Sequence, residues 1–334
     1  MVKKRTEICI TIDTEFNIAG HFSNPKKYRP LSEVAVTCPV DGKEQGLGFL
    51  LDTFDRFNTK ATFFVETANH AYFGNEPMNG LVKRIQQAGQ DIQLHVHPVW
   101  LSFLNGQGDI SFPQNDNCAN RSFDELVLAF NYCVEVFERW VGNKPLAVRT
   151  GSLWADTNVY SVLKSLEIPM ASNLGLGIYH PPEESLQHSS GRHRIEGVME
   201  LPVFTYQDSR FNGKSHLKSL QVTSCSWLEM KRILWAAREA GVEQIIILTH
   251  PFEFIKKSDF RYTKTTANRL NQHRLQKLCE FIQTHDQEFM STDFTLSAKH
   301  WINQEVNDPF VAIPSIYSLG RKLENKLNDT IWSL

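Results

Sequence analysis

Two rhythms of apolar residues alternate along this chain. The first is a set of short unbroken runs rich in β-branched and aromatic residues: Ile8–Ile12, Ala61–Val65, Asp91–Leu94, Leu146–Val148, Ile168–Ser172, Val198–Phe204, Gln244–Leu248, and a last one within Phe289–Leu296. Runs without two-residue alternation predict strands buried on both faces. The second rhythm has helical spacing. It covers Leu47–Phe57, Asn79–Ala88 (stopped by Gly89), Phe123–Trp140, Asp156 to about Leu166, Ser226–Ala240 and Ala267–Thr284. Ser122 with Glu125 forms a capping box before the third of these helices, Gly142 ends it, and Asp156 caps the next. Strand and helix alternating in this way predict an α/β fold: a mainly parallel sheet wrapped by helices, open or closed into a barrel of about seven strands.

Three segments break the rhythm. Residues 17–45, 103–120 and 175–197 are polar and rich in Gly, Pro or Asn, and are predicted as long loops at the C-terminal face, where such loops serve as lids or binding walls. The stretch after Phe204 is polar as well. From Pro309 the tail shows an amphipathic pattern (Ile316, Leu319, Leu323, Leu327, Ile331), predicting a helix docked on the body. The expected division is a domain over 1–305 and a tail over 306–334.

Composition narrows the picture. A chain of 334 residues with 41% hydrophobic content is long enough for one α/β barrel. A net charge of −2 gives no electrostatic case for nucleic acid or an anionic membrane. The six cysteines (Cys9, Cys38, Cys118, Cys133, Cys225, Cys279) include no Cys-x-x-Cys pair, which argues against a thiolate zinc site and a disulfide framework. No apolar signal core follows the basic residues near the N-terminus, and no run is long enough to span a membrane. A cytoplasmic location is the simplest expectation.

Functional residues of parallel α/β folds gather at the C-terminal ends of strands. That rule selects Asp13 and Glu15, His95 and His97, Arg149, and His250. One residue apart on a strand, His95 and His97 project to the same side. A carboxylate with two histidines is a common ligand set for zinc or another divalent metal with an open position. A second carboxylate can take a proton from water, a separate histidine can protonate a leaving group, and an arginine can orient the base. Each residue also has a plainer reading: an N-cap for Asp13 or Glu15, a structural ion pair for Arg149, a turn hydrogen bond for His250. Their joint occurrence at strand ends points to a metal-assisted hydrolase.

The series Thr11-Ile-Asp13-Thr-Glu15, Ala61-Thr-Phe-Phe-Val65, His95-Val-His97-Pro98, Arg149-Thr-Gly-Ser152 and Leu248-Thr-His250 resembles the polysaccharide deacetylase superfamily (NodB-homology, carbohydrate esterase 4-like), in its WalW-like branch. The resemblance runs from about Ile8 to Phe294. It implies a distorted (β/α)7 barrel, a divalent metal, often zinc, and removal of N- or O-linked acetyl groups from sugars. It makes Asp13 the base, Arg149 its partner and His250 the general acid. It makes His95 a metal ligand and Leu248 part of the acetyl pocket, with Trp154 as a candidate wall and a backbone N–H at Ser152 in the oxyanion hole. The sequence departs from the family pattern at two ligands. Thr14 stands where the second aspartate is usual, so Glu15 takes that role, and Val99 stands where the second histidine is usual, so His97 is the substitute. The implied substrate is an acetylated sugar, polysaccharide or glycan precursor; a cytoplasmic member would act on a nucleotide-linked, lipid-linked or soluble precursor. Two rivals stay open: a same-fold hydrolase of a non-sugar amide or cyclic ureide, as in allantoinase-like relatives, and a non-catalytic glycan-binding protein.

Overall fold

A computed structural model describes residues 4–107, 111–211 and 214–331. Residues 108–110 of the expected 103–120 loop and 332–334 of the expected tail lie outside the described residues.

The apolar runs form strands β1 (Thr6–Thr14), β2 (Ala61–Glu66), β3 (Asp91–Val96), β4 (Ala147–Thr150), β5 (Met170–Ala171), β6 (Val198–Glu200) and β7 (Gln244–Thr249). They pair in parallel in the order β7-β1-β2-β3-β4-β5-β6. Every residue of β1, β2, β4 and β7 is buried, which is why these runs carry no polar alternation. Strand Phe289–Ser291 adds in parallel beside the start of β1, and His193–Ile195 pairs antiparallel with β6.

The two edges of the sheet meet. Val203, just past β6, bridges Ile246 of β7 in parallel, and Gln221 bridges Leu248. Towards the C-terminal face the seam is filled by a returning segment. The Leu220 N–H donates to the Phe204 carbonyl at 2.7 Å, and the Leu248 N–H donates to the Leu220 carbonyl at 3.1 Å. The sheet therefore curls round on itself as the expected distorted barrel. The segment that fills the seam leaves an antiparallel hairpin, Thr205–Phe211 with Lys214–Ser219, that the polar character of this stretch did not predict.

Helices α1 (Leu47–Arg56), α2 (Met78–Gln87), α3 (Phe123–Val141), α4 (Thr157–Ser165), α5 (Trp227–Ala240) and α6 (Arg269–Thr284) follow the predicted spacing. The capping box at Ser122 and Glu125 forms, Gly142 closes α3 with φ 92°, and Asp156 caps α4. Helix α7 (Phe294–Trp301) takes over the end of the segment in which a last strand was expected, and that strand stops at Ser291. All six cysteines are free and buried. No helix of the described residues is long and apolar enough to cross a membrane.

All three expected loops contain ordered pieces, the third through the strand His193–Ile195. Residues 17–45 contain the helical turn Val34–Thr37 and a two-stranded ribbon, Pro39–Val40 with Lys43–Glu44. Residues 98–104 form a 3-10 helix. The tail differs more. Its helix α8 (Ile316–Ile331) forms, but it docks by its polar side. Arg321 is inserted between Asp208, at 2.6 Å, and Glu229, while Arg274 grips Glu324 at 2.8 Å and Asn325 at 2.7 Å. The apolar stripe faces outward, with Ile316 71%, Leu319 57%, Leu323 64% and Leu327 59% exposed. The periodicity located the stripe correctly; buried acids on the body decide which side packs.

Removing the arginine leaves buried Glu229 without its ion-pair partner and Asp208 with only His216 and Ser209, and breaking a buried pair from one side costs about 3–5 kcal/mol. Arg321→Ala is therefore expected to lower the unfolding free energy by about 3 kcal/mol in urea titrations. Leu323→Asn on the outward face should change it by less than about 0.5 kcal/mol.

Candidate metal and acid–base site

The residues selected from strand ends converge at the C-terminal mouth of the barrel. Asp13 is near the end of β1 and Glu15 just beyond it; His95 is near the end of β3 and His97 just after it. Arg149 is on β4, and His250 follows β7.

Arg149 lies across the interior with no exposed surface. Nη1 donates to Asp13 Oδ1 at 2.7 Å and to the Thr11 hydroxyl at 2.8 Å; Nη2 donates to the Ser172 hydroxyl at 2.8 Å and Nε to the Ser172 carbonyl at 3.0 Å. The guanidinium also stacks 4.3 Å from the Phe64 ring centroid. One oxygen of Asp13 is thus committed. The other, Oδ2, stands 3.9 Å from His95 Nε2 and 3.9 Å from His250 Nε2.

Glu15, His95 and His97 form a compact donor set whose ligand atoms lie within 4.8 Å of one another. Glu15 Oε2 is 2.5 Å from His97 Nε2 and 3.3 Å from His95 Nε2, and the two Nε2 atoms are 3.0 Å apart. His95 Nδ1 faces the Arg149 carbonyl at 2.9 Å and His97 Nδ1 faces the Asp116 carboxylate at 2.7 Å. Both partners are acceptors only, so with the proton on each Nδ1 the Nε2 lone pairs turn toward one another and toward Glu15. Two lone pairs and a carboxylate oxygen facing inward call for a cation, and the residues fit a metal ion. In its absence a proton has to serve. Burial opposes the charge on His97, but Asp116 and Glu15 outweigh it and raise its pKa well above the usual value. Burial likewise works against the Glu15 anion, yet His97 and His95 draw its pKa well below the usual range.

The two positions where the resemblance places other ligands are turned away from the cluster. Thr14 is buried and its hydroxyl donates to the Ile12 carbonyl at 3.3 Å, while Val99 packs into the hydrophobic core. His97 reaches the cluster because the chain leaves the strand there and turns into the 3-10 helix. Gly151 makes room for it: a Cβ at 151 would stand 2.5 Å from His97 Nδ1.

His250 is held by Glu253. The imidazole Nδ1 is 3.4 Å from Glu253 Oε1, an ion-pair distance, and Glu253 Oε2 accepts the Thr249 hydroxyl at 2.9 Å and the His250 N–H at 3.1 Å. Burial disfavours the charged ring, but Glu253 and then Asp13 overcome it and lift the pKa to about 9. The ring is an imidazolium at neutral pH, suited to giving up a proton.

These groups open on a cavity of about 210 Å³. Leu153, Ile178 and Leu248 form its apolar wall, and Gln221 and Ser152 add polar groups. Ser152 and Leu153 both adopt left-handed backbone, with φ 54° and 56°, a strained turn of the kind that gathers at functional sites. Trp154 is not among the lining residues; it packs beside Tyr179, with ring centroids 6.2 Å apart, and Leu153 takes its place.

The wall residues Leu153 and Ile178 were not singled out from the sequence, nor were four polar residues at this mouth. Asp116 comes from the polar 103–120 loop and Gln221 from the seam. Glu253 sits one turn after His250, the only one of the four with a local signal. Glu66, at the end of β2, is fully buried; burial pushes its pKa to about 8 against the pull of His97.

No family model matches the sequence, and no protein of curated function is significantly similar to it. Solved structures are similar in fold. A Mycobacterium smegmatis protein assigned to the polysaccharide deacetylases superposes with a TM-score of 0.56 at 15% identity, over 93% of this chain and 95% of that one. The Puue allantoinase does so with a TM-score of 0.51 at 12% identity, over 90% and 92%. The chain has the fold of the polysaccharide deacetylase superfamily.

In metal-free protein the His250 ring should titrate near pH 9 by NMR, and Glu253→Gln should bring it down toward the ordinary 6.5. Because the folded value is the higher one, His250 stabilises the fold fully below pH 6.5, and that contribution is lost as pH rises through about 9. An unchanged titration in Glu253→Gln would mean that Glu253 does not hold the charge.

Proposed function

From a chain with this fold and this mouth, we propose a metal-dependent hydrolase that removes an acetyl group, N- or O-linked, from a sugar or glycan precursor. Within the superfamily we keep the WalW-like branch to which the sequence is similar, and we take residues 1–305 as the working domain with 306–334 as an appended tail. The observation that carries the reading is the placing of a free Asp13 oxygen midway between a Glu15–His95–His97 donor set and the His250 imidazolium.

Glu15, His95 and His97 would hold the ion, zinc being the natural choice for one carboxylate and two imidazoles. Such an ion supplies Lewis acidity to a carbonyl and lowers the pKa of water. The remaining chemistry belongs to the chain. Arg149 fixes Asp13 Oδ1, so that Oδ2 alone is presented to an attacking water and takes its proton. The strained turn at Ser152 and Leu153 offers backbone N–H groups to the oxyanion. Leu153 and Leu248 enclose the acetyl methyl, and His250, charged by Glu253, protonates the departing amine or alkoxide. The likeness to an allantoinase favours one second reading, a cyclic ureide or other non-sugar amide in the same cavity.

Elemental mass spectrometry of purified protein should find about one equivalent of a transition metal, absent from His95→Ala and from His97→Ala. Gly151→Ala and Asp116→Ala should each weaken metal affinity about 10–100-fold, by displacing or unpinning the His97 ring. Acetate release from acetylated sugars should fall at least about 100-fold in Asp13→Asn with metal retained. Full activity in Asp13→Asn would overturn the assigned base. Release from an allantoin-type ureide and from no acetylated sugar would move the assignment to the second reading, and a metal-free, inactive wild type after reconstitution would overturn both.

A further inference from the structure

Two loops rise over the mouth of the barrel, residues 17–45 after β1 and residues 251–268 after β7. They hold one another. Arg261 donates to the Arg29 carbonyl, the Thr265 hydroxyl donates to the Pro39 carbonyl at 3.1 Å, and Phe260 meets Tyr28 edge-on at 5.5 Å. Their acids are largely engaged: Glu44 with Arg84, Glu253 with His250, and Asp259 with the N–H groups of Arg261 and Thr263 in its own turn. Most of their cations are not. Lys256 pairs with Asp329 of the tail at 3.3 Å, but Lys27, Arg29, Lys257, Arg261 and Lys264 form no ion pair among the described residues, in a chain whose net charge is −2. Lys27 and Arg261 lie over the Tyr28 ring at 5.0 and 5.9 Å.

Lys257 is the innermost. Its Nζ donates to the Tyr262 hydroxyl at 3.1 Å, 4.2 Å from that ring's centroid and 5.0 Å from the Phe252 centroid. Phe252 in turn stacks on the His250 imidazole, centroids 4.9 Å apart and planes within 27°. One aromatic ring therefore separates the ammonium from the group assigned to protonate the leaving group. Burial lowers the Lys257 pKa against the smaller opposing pulls of Cys38, Glu15 and Asp259, so the ammonium shares the field of the site through Glu15. A half-buried ammonium with aromatic neighbours and no carboxylate partner is under-satisfied, and an incoming anion relieves it.

We propose that the substrate carries an anionic group on its leaving-group side, a phosphate or a carboxylate of the sugar, which docks on Lys257 with Arg261 and Lys27 behind it. This deepens the deacetylase reading and rests on it for the direction of the leaving group. The shared chemistry is an oxyanion; a phosphate would mark a phosphorylated or diphosphate-linked sugar, a carboxylate an acidic sugar.

The test is calorimetric binding to metal-loaded protein of three probes: N-acetylglucosamine, its 1-phosphate, and the corresponding uronic acid. At least one charged probe should bind about tenfold or more tightly than the neutral sugar, the scale of one hydrogen bond to a charged group. That gap should shrink to about threefold or less in Lys257→Gln, return in Lys257→Arg, and narrow with added salt. Equal binding of charged and neutral probes, no binding of either charged probe, or a gap that Lys257→Gln leaves intact would overturn the proposal. Acetate release on the same samples judges the deacetylase reading separately. Lys257-dependent anion binding without release keeps the anion site and removes the deacetylation; release without charge preference does the reverse.

Discussion

The buried guanidinium of Arg149 is the constraint on which the rest of the mouth depends. It leaves β4, passes over the Phe64 ring of β2, and ends on Thr11 and Asp13 of β1, with Ser172 beyond β5 completing its shell. An arginine cannot shed its proton, and a guanidinium with no solvent must be surrounded by acceptors. Those acceptors fix the relative positions of strands that are not neighbours in the sheet. The same bond turns a carboxylate with two equivalent oxygens into one with a tied oxygen and a free one. Structural and chemical roles coincide here: the tie across the barrel is also the orienting device for the proposed base.

The donor set shows how an altered spacing can still converge. Glu15 and His97 both lie just past the ends of their strands, where the chain is free of the alternation that sends Thr14 away from the mouth. Leaving the strand costs a side chain its packing neighbours. His97 regains them from Asp116 on one edge and from the bare backbone of Gly151 on the other. A ligand outside regular structure thus depends on two supports that come from elsewhere in the chain.

Much of this was legible in the sequence, and what was not has a physical reason. Strands β1, β2 and β7 could be read because burial on both faces leaves an unbroken apolar run, and α3 because capping groups mark both its ends. Asp13, Glu15, His95, His97, Arg149 and His250 could be read because a parallel barrel puts the ends of strands in one place. Asp116 could not: it sits in a polar loop whose path is set by tertiary contacts, so nothing local distinguishes it from Asn115 or Asn117. The hairpin Thr205–Ser219 was hidden because its strands are dominated by polar residues such as Gln207, Asp208, Arg210, His216 and Lys218, with Tyr206 anchored underneath. The outward turn of α8 was hidden for another reason. Periodicity marks which residues share a face, whereas the packing side was chosen by Asp208 and Glu229, two buried acids in need of a cation.

The seam between β6 and β7 separates two kinds of change. Gln221 enters the cavity only because the chain returns from the hairpin to fill that seam, while the residues assigned to chemistry stand on the strands of the barrel or directly beyond their ends. The hairpin is an excursion with its two ends already held, and lengthening a closed loop costs little. Substitutions within Leu220–Val222 would change the polar group that Gln221 brings to the cavity, while Arg149, Asp13 and His250 stay where they are. The polar lining of the cavity can therefore change along a single segment, independently of the proposed base and acid.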